Sequence, residues 1–151
     1  MADLIQLLIG TTKGAFVLSG DTARQSWQTS GPLCDGWPIN HVIGDTATGT
    51  LWAAGGGEWH GAGVWRSTDG GETWALAKLA DGQFDTWIRQ SPEMAEQFGV
   101  KPSPPAPFSG RVDALWSLGL WNGALLAGAK PAALFSSEDG GKSWRQLETL
   151  N

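Results

Sequence analysis

Short apolar runs, separated by glycine-rich turns, set the rhythm of this chain. Runs of this length bounded by turn formers read as β-strands joined by hairpins. A first group predicts strands over residues 5–10, 15–18 and 26–29. A second falls at 39–44, 50–54, 63–67 and 73–77, and a third at 111–118, 124–128, 133–137 and 143–147. Eleven strands make an all-β protein. One segment departs from the rhythm: residues 78–110 form a long connection with a short helix expected at 92–98, followed by Lys101-Pro-Ser-Pro-Pro-Ala-Pro107. Those prolines forbid regular strand or helix and favour an extended path. An insertion this long in a compact domain is either functional or mobile.

The strongest signal is an internal repeat. One copy reads Val64-Trp-Arg-Ser-Thr-Asp-Gly-Gly-Glu-Thr-Trp74, and another, 70 residues on, reads Leu134-Phe-Ser-Ser-Glu-Asp-Gly-Gly-Lys-Ser-Trp144. A degenerate third copy, Val17-Leu-Ser-Gly-Asp21 followed by Ser26-Trp27, lacks the glycine pair. The pattern has the chemistry of a tight hairpin turn. Ser67 and Asp69, like Ser137 and Asp139, offer side-chain oxygens to turn N–H groups. Gly71 and Gly141, each the second of a pair, tolerate positive φ. Trp74 and Trp144 open the return strand and can pack on the turn.

These segments resemble Asp-box (BNR) repeats, the turns between the third and fourth strands of propeller blades in sialidases and many unrelated proteins. With Leu8-Ile-Gly-Thr-Thr-Lys-Gly-Ala-Phe16, the whole chain resembles the N-terminal blades of bacterial sialidase-like or glycosyl-hydrolase-like BNR-repeat proteins. The resemblance implies a partial β-propeller of about three blades within residues 1–151. Blade one covers about 4–30 and lacks its innermost strand; blade two covers about 38–78 and blade three about 111–148. Closed propellers have typically about four to eight blades and often complete the first with a strand from the far end of the chain. Three blades leave two apolar flanks, which invite association. Completion is therefore expected from a second copy, as a homodimer forming a six-bladed ring, or from further C-terminal blades.

Composition narrows the function classes. The chain has 22 Gly, 10 Trp, 5 Phe and no Tyr, with 17% charged residues and a formal net charge of -5. Its ten Lys and Arg are scattered, so no basic stripe follows a phosphate backbone and no nucleic-acid partner is expected. Cys34 is the only cysteine, which excludes an internal disulfide, and reads as a small buried apolar residue. The N-terminus carries an acid where a signal peptide has basic residues, and no window approaches the roughly 20 apolar residues of a membrane span. The expectation is a soluble, cytoplasmic protein without cofactor or membrane contact.

The resemblance also sorts residues by face: the Asp-box turns lie on one face, and ligands of propellers usually bind on the other. That second face would hold Lys13, the segment Gly55-Gly-Gly-Glu-Trp-His-Gly61 and Lys130, with Asp35 and Trp37 from the first blade linker and Asp85 and Arg89 from the second. His41 and Arg111 begin the innermost strands near the same mouth. Glu58, Trp59 and His60, set between glycines, suit sugar recognition, in which an aromatic face stacks and polar groups bind hydroxyls. The bland alternative is a glycine-rich loop whose tryptophan packs on the next blade. His41 and His60 lack a recognisable metal-ligand spacing, so no metal is expected.

A sialidase uses a tyrosine nucleophile, and this chain has none. Glu58, Asp35 and Asp85 could supply the two carboxyl groups of another glycosidase, but no other catalytic motif is present. The sequence therefore favours a non-catalytic binding or assembly module, with carbohydrate or another protein as ligand. The alternative is the N-terminal half of a sialidase-like or glycosidase-like hydrolase whose remaining catalytic residues lie elsewhere. The open flanks predict association. A mass near twice the 16.0 kDa chain mass in light scattering would support the ring of two copies, and a stable, well-behaved monomer would contradict the need to cover those flanks.

Overall fold

The computed structural model describes residues 4–148. Three antiparallel sheets follow one another along the chain, each a meander in which sequence neighbours pair. Sheet one contains β1 (Leu4–Thr11), β2 (Gly14–Asp21) and β3 (Trp27–Leu33). Sheet two contains β4 (Ile39–Asp45), β5 (Thr50–Gly57), β6 (Gly61–Ser67) and β7 (Ala75–Asp81). Sheet three contains β8 (Ala114–Trp121), β9 (Ala124–Lys130), β10 (Ala133–Ser137) and β11 (Arg145–Leu147). Between sheets two and three lie two short helices, α1 (Gln83–Gln90) and α2 (Pro92–Phe98).

The repeated turns explain where two strands begin. Ser67 Oγ accepts the Gly71 N–H at 2.9 Å and donates to Asp69 Oδ1 at 2.8 Å. Asp69 in turn accepts the Thr73 N–H at 2.9 Å, together with the Thr73 hydroxyl. Trp74 closes the turn by donating its indole N–H to the Gly71 carbonyl at 2.9 Å. The second copy repeats this geometry through Ser137, Asp139, Gly141, Ser143 and Trp144. Thr73 and Ser143 are thus held inside the turns, so β7 and β11 begin later than the sequence rhythm suggests, at Ala75 and Arg145. Gly71 and Gly141 have φ of 97° and 94°, where a side chain would be strained.

The degenerate turn of sheet one keeps only part of this bracket. Trp27 Nε1 donates to the Arg24 carbonyl at 3.2 Å, as Trp74 does to Gly71, and Arg24 takes φ of 58° without being glycine. Seven residues before the turn tryptophan stand Ser67, Ser137 and, in sheet one, Gly20. The structural counterpart of the serine is therefore Gly20 rather than Ser19, and that of Asp69 is Thr22. Asp21, one place earlier, compensates by accepting the Gln25 N–H at 3.1 Å.

Side-chain bonds lock the sheets together. Trp52 Nε1 in β5 donates to Gly140 O, at the tip of the sheet-three turn, at 2.8 Å. On the inner side, Asn40 Nδ2 donates to Leu115 O at 2.7 Å and the Leu118 N–H donates to His41 Nδ1 at 2.9 Å. Both β4 and β8 carry an irregularity at the same place, Asn40 and Trp116, before pairing resumes. Between sheets two and three, Trp52, Val64, Leu115, Leu125 and Phe135 form one core, on which Trp144 packs. Between sheets one and two, Ala15, Trp37, Ile39, Val42, Ala53 and Trp65 form the other, on which Trp74 packs.

The outer flanks have no such cover. Ladder positions counted from the turn tryptophans make Leu7 the counterpart of Ala53. Ala53 is fully buried against sheet one, whereas Leu7 is 47% exposed. At the other end Leu120 and Trp121 are 44% and 67% exposed.

The turns give a pH signature. Bonds from the Thr73 hydroxyl, the Thr73 N–H and the Ser67 hydroxyl draw the Asp69 carboxyl down to about 2. The Ser143 hydroxyl, the Ser143 N–H and the Ser137 hydroxyl hold Asp139 well below the usual carboxylate range. In the unfolded chain both titrate near about 3.9. Their contribution is complete above that value and is lost as pH falls through the lowered folded-state values, for Asp69 first and then for Asp139. Thermal melts of an Asp69→Asn/Asp139→Asn variant should therefore lie below wild type at pH 7 and converge with it in acid; a gap independent of pH would contradict this.

Candidate functional site

The end of the sheets away from the Ser-x-Asp turns is organised around α1, an element absent from the expected pattern. Its start is fixed by the glycine-rich loop: Gln83 N–H donates to Glu58 O at 2.7 Å and Phe84 N–H to Trp59 O at 3.1 Å. A side chain at Gly61 or Gly82 would collide with backbone at 2.2–2.3 Å, so glycine is what allows loop and helix to approach. Asp85 accepts the Gly82 N–H at 2.8 Å and meets Lys78 Nζ through both oxygens at 2.7 Å. These contacts hold the first turn of α1 in place.

The proline-rich segment is tied down as well. Arg89 donates to Asp81 at 2.6 Å and to Ser103 O at 3.0 Å, while the Ala106 N–H reaches Asp81 Oδ1 at 3.2 Å. Phe108 N–H donates to Leu79 O at 2.8 Å. Trp59, Phe84, Trp87 and Phe98 form an aromatic cluster, with Trp59 and Phe84 centroids 5.4 Å apart and Trp87 and Phe98 5.8 Å apart.

Loop, α1 and the entry to β8 enclose a cleft of about 770 Å³. Glu58, Gln83, Trp87, Asp113, Trp116 and Lys130 are among its lining residues. Among the described residues, no hydrogen bond or ion pair occupies the side chains of Glu58, Asp113 or Lys130. Trp116 stands 54% exposed. Its counterpart Asn40 is spent on holding β8, so the same irregularity serves packing in one sheet and faces the cleft in the next.

The expected site residues separate into several places. Glu58 and Lys130 line the cleft. Trp37 is buried at 6% exposure, edge-on to Trp65 with centroids 5.6 Å apart, because it seals the core between sheets one and two. His41 is an acceptor joining sheets two and three, and Asp85 and Arg89 are committed to Lys78 and Asp81. Trp59 belongs to the aromatic cluster behind α1. His60 packs on Trp37 at 5.3 Å; burial, then the Lys78 charge, push its pKa down. Asp35 borders a small cavity with Cys34, Lys13 is exposed, and Arg111 borders a different cavity beside Phe135. The single mouth gathering all eleven residues is therefore replaced by one cleft and several structural contacts.

Sequence reasoning missed Asp113, Trp116, Gln83 and Gln90 as cleft residues. The available signal was Gly82-Gln-Phe-Asp85, an acid three places after a glycine at a helix start. Among the described residues no group of three or more His, Cys, Asp or Glu side chains is placed to hold a metal ion, and no helix is long and apolar enough to cross a membrane.

No family model matches the chain, and no curated protein matches it. Among solved structures, one described as "YCF48 bound to D1 peptide" superposes with a TM-score of 0.51 at 15% identity. YCF48 is a β-propeller protein. This chain is a partial β-propeller. The match covers 96% of this chain and 40% of that one, so the chain spans less than half the length of the propeller it resembles. The three sheets are blades, β4 and β8 are innermost strands, and blade one has no strand in that position among the described residues.

Replacing Asp85 by Ala should release the start of α1, lowering stability by about 1 kcal/mol and speeding limited proteolysis between α1 and the proline-rich segment. Unchanged melting and cleavage would show that the loop contacts alone hold the helix.

Proposed function

We propose that the chain is a non-catalytic binding module of the Asp-box propeller kind, with a carbohydrate ligand in the cleft between residues 55–61, α1 and β8. The observation that carries this reading is Trp116. A large indole, 54% exposed, borders a cleft that also presents Trp87, the amides of Gln83 and Gln90, and the uncommitted Glu58, Asp113 and Lys130. Indole faces suit the apolar side of a sugar ring, while amides and carboxylates suit hydroxyls; a few polar groups around an apolar platform is the usual make-up of a small-ligand site. Support for a binding role also comes from the neighbouring propeller, whose structure is of a complex with a peptide. The exposed Leu7 and Ile9 of blade one and Leu120 and Trp121 of blade three favour work inside a larger ring, completed by a second copy or by further blades.

One observation favours the hydrolase alternative: Glu58 and Asp113 share the cleft, and glycosidases act with paired carboxyl groups. A glycan array followed by titration calorimetry tests the primary reading. We expect saturable binding to a restricted glycan set, weakened about tenfold or more in Trp116→Ala with the melting temperature retained. An array blank at high protein concentration would remove carbohydrate as the ligand. Turnover of aryl glycosides that disappears in Glu58→Gln would replace the binding module by the hydrolase.

A further inference from the structure

The proline-rich segment that follows α2 is a surface the cleft does not use: none of residues 101–107 lines it. Every residue from Lys101 to Pro107 is a proline or stands directly before one. Proline fixes φ near about −65°, and the residue before a proline is held out of the helical region. The sequence therefore dictates a polyproline II path. In agreement, Lys101–Ala106 runs without helix, strand, turn or bend.

Such a path has three residues per turn, so residues three apart share an edge. One edge is spent on the molecule itself. Ser103 O accepts from Arg89 Nε at 3.0 Å, and the Ala106 N–H donates to Asp81 Oδ1 at 3.2 Å. Ala106 is also the one residue of the seven that is half-buried. A second edge carries Lys101, Pro104 and Pro107, spaced about 9 Å apart along the path, and a third carries Pro102 and Pro105; all five are exposed. Phe98 and Val100, immediately ahead, add exposed apolar surface at 54% and 38%. Among the described residues Lys101 has no ion-pair partner, and no bond takes the carbonyls of Lys101, Pro102, Pro104 or Pro105.

We infer that the two outward edges of residues 101–107 dock into an aromatic-lined groove of a partner protein, with a carboxylate of that partner meeting Lys101. Grooves lined by aromatic rings take proline-rich segments because the polyproline II shape is already formed and loses little entropy on binding. Here the shape is fixed further. Ties at Ser103 and Ala106, with the Phe108 N–H on Leu79 O, hold the segment against the blade, which lowers the ordering cost of association. Lys101 supplies the charge that selects among such grooves and sets the direction of docking. Crossing between blades does not by itself call for this device, since a short turn at Cys34–Gly36 serves the link from β3 to β4.

An array of purified SH3, WW and EVH1 domains, probed with the intact chain and followed by titration calorimetry, tests this. We expect saturable binding to domains that carry a carboxylate beside the groove. Pro104→Ala/Pro105→Ala, which changes one residue on each outward edge, should weaken it about tenfold or more. Lys101→Glu, which leaves the proline path intact, should weaken it about tenfold. Both variants alter exposed side chains and should keep the wild-type melting temperature. An array blank at high protein concentration, or binding that Lys101→Glu leaves unchanged, would overturn the proposal. So would binding lost in Trp116→Ala and kept in the proline variant, which would move the contact to the cleft. Self-association of the chain abolished by Lys101→Glu would also overturn it, by putting a second copy in the partner's place.

Discussion

The structure depends on indole N–H groups that fasten each turn to the chain around it. Trp74 and Trp144 bond the carbonyl of the second glycine in their own turns, and Trp52 bonds the turn tip of the following blade. A hydrogen-bonded turn alone specifies one hairpin. Once Trp52 reaches Gly140 O, the turn of blade three becomes part of the wall of blade two, and the angle between the sheets is set at the outer end. Asn40 and His41 set it at the inner end. Between these ties the apolar contacts settle, with Ala53, Ala54, Ala62 and Ala127 small enough to bring strands of neighbouring blades close.

The cleft is a consequence of that placement. Blade two ends in β7, and the chain must cross to the inner strand of blade three. It does so through α1, α2 and the proline-rich segment, bound back by Arg89–Asp81, Lys78–Asp85 and the Phe108–Leu79 bond. The crossing leaves a space between the glycine-rich loop and β8 that no regular blade linker of the first kind produces; the link from β3 to β4 is a short turn at Cys34–Gly36. There the thiol of Cys34 is pushed up to about 12, first by burial and then by the Asp35 charge, as fits a packing residue rather than a reactive one.

What the sequence made legible was governed by local chemistry. Ser67, Asp69, Gly71 and Trp74 interact within eight residues, so their spacing announces the turn, and Pro92 at the first position of α2 marks that helix equally well. The degenerate copy was read from Val17–Asp21 and Ser26-Trp27, but only the tryptophan keeps its place in the turn, because Gly20 and Arg24 adopt it without the side-chain signature. The candidate site was less legible because its contacts are distant in sequence. Nothing near His41 reveals that it meets Leu118, nothing near Trp37 reveals Trp65, and Trp116 reads as one more strand residue until β8 is set against the loop of blade two. α1 escaped notice because the loop carbonyls of Glu58 and Trp59 fix its start from outside the segment.

The central claim is that turn and neighbouring blade are bonded into one unit through tryptophan. Hydrogen exchange of the indole N–H groups, followed by NMR on the labelled chain, reads this directly. The account predicts slow exchange for Trp52, Trp74 and Trp144 and much faster exchange for Trp116, which is 54% exposed at the cleft. A Trp52 indole proton that exchanges as fast as that of Trp116 would contradict it, because the blades would then touch without being tied.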